Sequence, residues 1–354
     1  MKRCVAFLLA ALCLLLCGCD LWMDGSYLSV EPHKEQYSGT QDENVEISTY
    51  AQLRDALAAM VDSGTQSSVI YTKGISDDLL EMYMTTAIDY VRGNTPIGAY
   101  SLNEIHYQIG TNAGRPAVAL EATYDHSRME LLRIKKAAAM DDAVKLITDA
   151  LERCEASVVL RVAAYGDMDF AQLVQDYVDA YPDLCMELPQ VTAAVYPETG
   201  EDRVVALSFT YQTSRESLRN MQEQVKPVFA SAELYITGDA QPRQKYSQLC
   251  SFLMERYDYT VETSITPSYS LLCHGVGDSK AFATVYAAMC RRSGLECKVV
   301  SGTRAGEARY WNMVCIDEVY YHVDLLRSAG SLQPKADDEM SGYVWDYSAY
   351  PACG

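Results

Sequence analysis

The chain has 354 residues, 49% of them apolar and 22% charged, which is enough apolar material for several cores and excludes a disordered chain. Lys and Arg number 29 against 48 Asp and Glu, a formal charge of -19. That balance excludes a general nucleic-acid binder, and it excludes docking on anionic lipid through charge. The five histidines are widely spread, so neither a metal nor another cofactor is expected.

At the N-terminus, Lys2 and Arg3 precede an apolar run from Val5 to Leu16. At about 1.5 Å per residue this run is too short for a hydrocarbon core of about 30 Å, and it reads as the hydrophobic part of an export signal. Leu16-Cys17-Gly18-Cys19 resembles the lipobox of bacterial lipoproteins. The resemblance implies removal of residues 1–18, lipidation of Cys19, and a lipid anchor on the extracytoplasmic face of the cell membrane. Residues 19–47 are polar and carry Gly, Ser and Pro, the composition of a flexible tether. Eight cysteines remain beyond Cys19, with no CxxC pair. They lie in apolar helix or strand patterns, which leaves both buried thiols and disulfides open.

An internal repeat follows. Val118-Ala119-Leu120-Glu121-Ala122-Thr123-Tyr124, then Ser127-Arg128, recurs as Val205-Ala206-Leu207-Ser208-Phe209-Thr210-Tyr211, then Ser214-Arg215. Amphipathic helices around Leu57 and Leu151, short β-branched strands at Ser68–Tyr71 and Ser157–Leu160, and second helices at about 77–91 and 169–180 precede each copy. Each unit reads helix, strand, helix, strand, strand, helix, which predicts two α+β sandwich modules over 48–136 and 137–226. Ser127 and Ser214 are placed to cap the closing helices.

From about Lys226 the pattern changes, and a third domain is expected over 227–354. Val228–Ile236 reads as a strand, 241–257 as an amphipathic helix, 278–293 as a helix, and Trp311–Asp317 with Val319–Leu325 as a hairpin.

Five segments of this region resemble the transglutaminase-like superfamily, which has a papain-like α+β fold. They are the helix ending Leu253–Tyr259, the stretch Ser268–Ser279, the run Ala283–Leu295 followed by Cys297–Gly302, Arg309-Tyr310-Trp311-Asn312, and Tyr320–Asp324. The tail from Asp338 to Asp346, with Tyr350-Pro351, is similar to the family's closing segment. The resemblance implies a nucleophile at Ser279, a base at Arg309 and an acid at Asp324. The family chemistry uses a thiolate, an imidazole and a carboxylate, so two of the three positions depart from it.

The departures matter physically. A thiol of pKa about 8.5 is readily ionised at a helix N-terminus, whereas a serine hydroxyl needs a base. Arginine stays protonated to above about pH 12 and cannot be that base. Ser279 is instead expected to cap the following helix, and Arg309 to form a salt bridge with Asp324. The resulting expectation is a pseudoenzyme: a membrane-anchored, extracytoplasmic lipoprotein whose transglutaminase-like domain binds or scaffolds a peptide or cell-wall component, with Tyr310, Trp311 and Asn312 lining the cleft. The alternative is an amide hydrolase or transferase with a changed constellation, Ser279 or Cys273 acting with His322.

Overall fold

The structure is a computed structural model that describes residues 45–327 and 331–354. The export signal, Cys19 and most of the expected tether lie outside the described residues. Among the described residues, no helix is long and apolar enough to cross a membrane.

The first sheet is built from β1 (Glu46–Ile47), β2 (Ser67–Thr72), β3 (Leu102–Asn112) and β4 (Arg115–Tyr124), in the order β1-β2-β4-β3. β1 runs parallel to β2, and the other pairs are antiparallel. The expected tether therefore overran the fold by two residues: Ile47 is 1% exposed and belongs to the core. Helices α1 (Tyr50–Asp62), α2 (Asp77–Asn94) and α3 (Pro96–Ser101) join this sheet in one apolar core containing Leu53, Leu57, Met84, Val91, Val118 and Leu120. Thr49 and Thr95 cap α1 and α3 through their hydroxyl oxygens.

A short helix, α4 (Arg128–Leu132), closes this unit. Ser127 Oγ accepts from Glu130 N–H, and the Glu130 carboxylate accepts from Ser127 N–H, a reciprocal cap. The second sheet repeats the plan. β5 (Lys135–Ala139), β6 (Ser157–Ala164), β7 (Gln190–Tyr196) and β8 (Arg203–Thr210) lie in the order β5-β6-β8-β7, with β5 parallel to β6 and the rest antiparallel. The expected boundary between 136 and 137 falls inside β5, because Lys135 already pairs with Leu160. Helices α5 (Met140–Glu152) and α6 (Phe170–Ala180) share an apolar core with this sheet.

The next helix corrects the sequence reading. Val228–Ile236 is not a strand, because α7 runs unbroken from Arg215 to Tyr235 through Pro227, and the expected boundary at 226/227 falls inside this helix. A proline disfavours helix at the residue before it, yet here the helix continues. The buried positions Leu218, Gln222, Val225, Phe229 and Ala232 hold the helical spacing across it. Ser214 Oγ caps α7 by accepting from Ser217 N–H at 3.2 Å. The apolar face of α7 does not pack only on the second module. It joins one core with α8 (Pro242–Met254), α9 (Pro267–His274) and α10 (Ser279–Arg292).

The third sheet is fully antiparallel. β11 (Cys297–Arg304), β12 (Glu307–Ile316), β13 (Val319–Val323) and β14 (Tyr343–Trp345) lie in the order β13-β12-β11-β14. Two short parallel strands, β9 (Asp258–Tyr259) and β10 (Val276–Gly277), flank α9. α10 covers one face of the sheet, where Val314 and Ile316 enter the helical core. The C-terminal segment covers the other, where Trp311, Met313, Met340, Trp345 and Cys353 form a separate cluster. Alternation along β12 divides its side chains between these two faces.

Candidate functional site

The site lies where the N-terminus of α10 meets β12. The sequence places Asp278 and Ser279 together at the start of the helix, and both residue types cap well. Asp278 takes the role, its carboxylate accepting from Ala281 N–H at 2.9 Å and from the Thr263 hydroxyl at 3.0 Å. Ser279 is thus the first helical residue and not the cap expected for it. Its side chain is directed at β12, where Oγ accepts from Tyr310 N–H at 3.3 Å, and the residue is 8% exposed. Among the described residues no imidazole hydrogen-bonds this hydroxyl, and a guanidinium cannot take its proton.

Arg309 and Asp324 are brought together. Arg309 Nη2 donates to both carboxylate oxygens, at 2.7 and 2.8 Å, and Nε donates to Oδ2 at 3.1 Å. Both side chains are largely buried. Leu326 N–H donates to Oδ1 at 3.2 Å, and the Tyr343 hydroxyl donates to Oδ2 at 2.6 Å. Burial, followed by its hydrogen bond to Asp324, pushes the Tyr343 phenol up to about 12, which keeps it a donor. Tyr343 and the ring of Tyr259, 5.8 Å from the Arg309 guanidinium, are parts of this cluster that the sequence reading gave no role. Tyr343 stood in the recognised closing segment, but nothing local in sequence ties a tail tyrosine to Asp324.

The expected binding residues divide. Tyr310 is half-buried, with Lys280 Nζ 5.6 Å from its ring centre. Trp311 and Asn312 do not line a cleft, being 1% and 0% exposed. Asn312 Nδ2 donates to Ala283 O at 2.8 Å and so fastens β12 to α10. Trp311 Nε1 donates to His322 Nδ1 at 2.9 Å on the opposite face. Each side-chain nitrogen is thus paired in a packed interface, while Asn312 Oδ1 is buried with no partner among the described residues.

His322 is fully buried and engaged at both nitrogens. Because Nδ1 accepts from the indole, the proton of the neutral ring sits on Nε2, which donates to Asp337 Oδ1 at 2.9 Å. Burial lowers its pKa against the opposing pull of Asp337. It is therefore not placed as a base for Ser279. Cys273 lies in the last turn of α9, which Gly275 ends at a φ of +86°. A helix C-terminus disfavours an anion, and partial burial pushes this thiol up, so it lacks the setting that activates a cysteine.

His322, Asp337 and Cys353 have donor atoms within 4.8 Å of one another. The cluster does not suit a metal as arranged. An ion on Nε2 would leave Nδ1 to carry a proton against the Trp311 N–H, or would require an imidazolate. Burial, with Asp337 adding, also pushes the Cys353 thiol up to about 12, away from the thiolate a metal needs.

Residues 230–325 match the family model of the transglutaminase-like superfamily. That span, 230–325, is a transglutaminase-like domain. Solved structures with detectable likeness include a TGase, at 10% identity over 55% of this chain and 59% of that one, with a TM-score of 0.27. A candidate cysteine protease from Cytophaga hutchinsonii shares 10% identity over 44% of this chain and 70% of its own, with a TM-score of 0.26. A candidate protease from Parabacteroides distasonis shares 9% identity over 62% and 35%, with a TM-score of 0.24. The chain thus spans about three fifths of the TGase's length. No curated protein matches it by sequence.

The domain is also joined to the second module along α10. Lys280 pairs with Asp179 at 2.9 Å. Further along, Arg291 pairs with Asp183 at 2.8 Å and donates to Ala180 O, while Arg292 bridges Asp183 and Glu233.

Proposed function

We propose that this protein is a lipid-anchored, extracytoplasmic bacterial lipoprotein whose transglutaminase-like domain has lost nucleophilic catalysis and serves as a binding or scaffolding module for a peptide or cell-wall component. One observation carries the reading. The carboxylate that would orient an imidazole is instead held by the Arg309 guanidinium, beside a hydroxyl whose hydrogen bond runs to a backbone N–H. A nucleophile without a proton acceptor is not activated. Scaffolding is favoured within this reading because α7 and the ion pairs of α10 tie the domain to the module before it.

Iodoacetamide footprinting of the purified chain tests the loss of thiol chemistry. Cys273, the exposed cysteine among the eight described, is expected to react first, at or below the rate of a free cysteine. Alkylation of one cysteine at least about tenfold faster than free cysteine at neutral pH contradicts the reading. The anchor is tested separately. Cys19→Ser is expected to move the protein from the membrane to the soluble fraction, and an unchanged distribution contradicts lipidation at that residue.

A further inference from the structure

We propose that His322 is an acid-operated latch, holding the two ends of the C-terminal segment, Lys335–Asp337 and Cys353–Gly354, on the sheet of the transglutaminase-like domain when neutral and releasing them when protonated.

The two ends of the segment are pinned at His322, while its middle is held independently: β14 pairs with β11, and the Tyr343 hydroxyl donates to Asp324. His322 and Lys335 exchange backbone hydrogen bonds at 2.9 and 3.0 Å. The His322 Nε2–H donates to Asp337 Oδ1, while Asp337 Oδ2 accepts from Cys353 N–H at 3.1 Å. Asp337 N–H donates in turn to Cys353 O, and Gly354 N–H donates to Tyr320 O. One imidazole thus orients one carboxylate, and that carboxylate gathers both ends of the segment. Beneath it lie Trp311 and Met313, against which the segment's own Met340 and Trp345 pack, all buried.

The contact on the other side of the ring makes the latch sensitive to acid. Nδ1 is the acceptor for the Trp311 N–H. A second proton on the ring must go to Nδ1, where two donors would then face each other at 2.9 Å between side chains no more than 1% exposed. Burial shields this contact from water, and among the described residues no acceptor bonds there to relieve the two donors. The facing groups are few. The tail brings Asp337 and Cys353; β12 brings Trp311 and Met313, and β14 brings Trp345, none of which carries charge; Lys335 meets His322 through its backbone. Asp337 alone favours the charged ring, and burial outweighs it. A ring that swings into water escapes both the donor conflict and the desolvation, but only by giving up Asp337 and, with it, the two ends of the segment.

The test uses the full chain and two readouts. Amide hydrogen exchange is compared between neutral pH and about pH 5, corrected for intrinsic rates. The N–H groups of His322, Lys335, Asp337, Cys353 and Gly354 are expected to lose at least about tenfold of their protection in acid, while α10 and β6 keep theirs. His322→Gln can accept from Trp311 and donate to Asp337 but cannot charge, so the two ends are expected to stay protected at both values. Histidine nitrogen NMR of the unmutated protein gives a reading that does not depend on the variant folding. His322 is expected as the neutral Nε2–H form at neutral pH, with a protonation midpoint below that of a free histidine and coincident with release of the two ends. Unchanged protection in acid, simultaneous loss across the whole domain, persistence of the response in a folded His322→Gln, or an Nδ1–H tautomer at neutral pH each overturns the proposal.

Discussion

Arg309 and Asp324 are joined by three hydrogen bonds between one guanidinium and one carboxylate, with the Tyr343 hydroxyl on the same carboxylate. A pair this buried is stabilising only while both partners are present, because either charge alone is left poorly solvated. Arg309→Ala is expected to lower the unfolding free energy by about 3 kcal/mol, measured by urea denaturation. Replacing both residues, as Arg309→Met with Asp324→Leu, is expected to recover most of that loss. A double variant as unstable as the single one contradicts the assignment of the loss to an unpaired charge.

The same geometry makes a gain-of-reactivity prediction. In Ser279→Cys alone, no base is at hand. In Ser279→Cys with Arg309→His, an imidazole is placed beside Asp324 and next in the chain to Tyr310, whose N–H bonds the side chain of residue 279. The double variant is expected to be alkylated by iodoacetamide at least about tenfold faster than the single one at neutral pH, through a lowered thiol pKa. Equal rates contradict the placement of residue 309 as the former base position.

Cutting the chain at 226/227 severs α7 in the middle of its buried stripe, between Val225 and Phe229. A fragment ending at residue 226 is expected to melt at lower temperature than the full chain and to bind hydrophobic dye, because Leu218 and Val225 lose the α8–α10 side of their core. A fragment that folds as stably as the whole contradicts the shared core.

Stability is expected to depend on pH through His322. Burial lowers its folded pKa below the unfolded value of about 6.5. The unfolded chain therefore binds the proton first, and stability is fully present above about pH 6.5 and falls as the pH drops through the folded value. His322→Gln is expected to flatten this part of the curve. A slope of opposite sign contradicts a buried neutral ring.

Much of this architecture is legible in the residues. The 2- and 3.6-residue periodicities located β2, β6, β12, α6 and α10 to within a few residues, and the Ser127 and Ser214 caps follow from the residue type at a strand-to-helix junction. The Arg309–Asp324 pair follows from charge once the segments are recognised. The rest depends on tertiary context. The apolar run Val228–Ile236 reads as a strand, and only its packing makes it the end of α7. Asp278 and Ser279 compete for one cap, and only the approach of Tyr310 N–H decides how Ser279 is used. Trp311 and Asn312 look like cleft residues by type but alternate into two packed faces. The His322–Asp337–Cys353 contact joins residues far apart in the chain that no local pattern connects.

The central claim is that a hydroxyl at 279 with an arginine at 309 performs no amide chemistry. Its most direct test is turnover of peptide and glutamine-amide substrates by the purified chain, compared with Ser279→Ala. The account predicts release of amine or ammonia no faster than from the variant. Turnover that disappears in Ser279→Ala contradicts it.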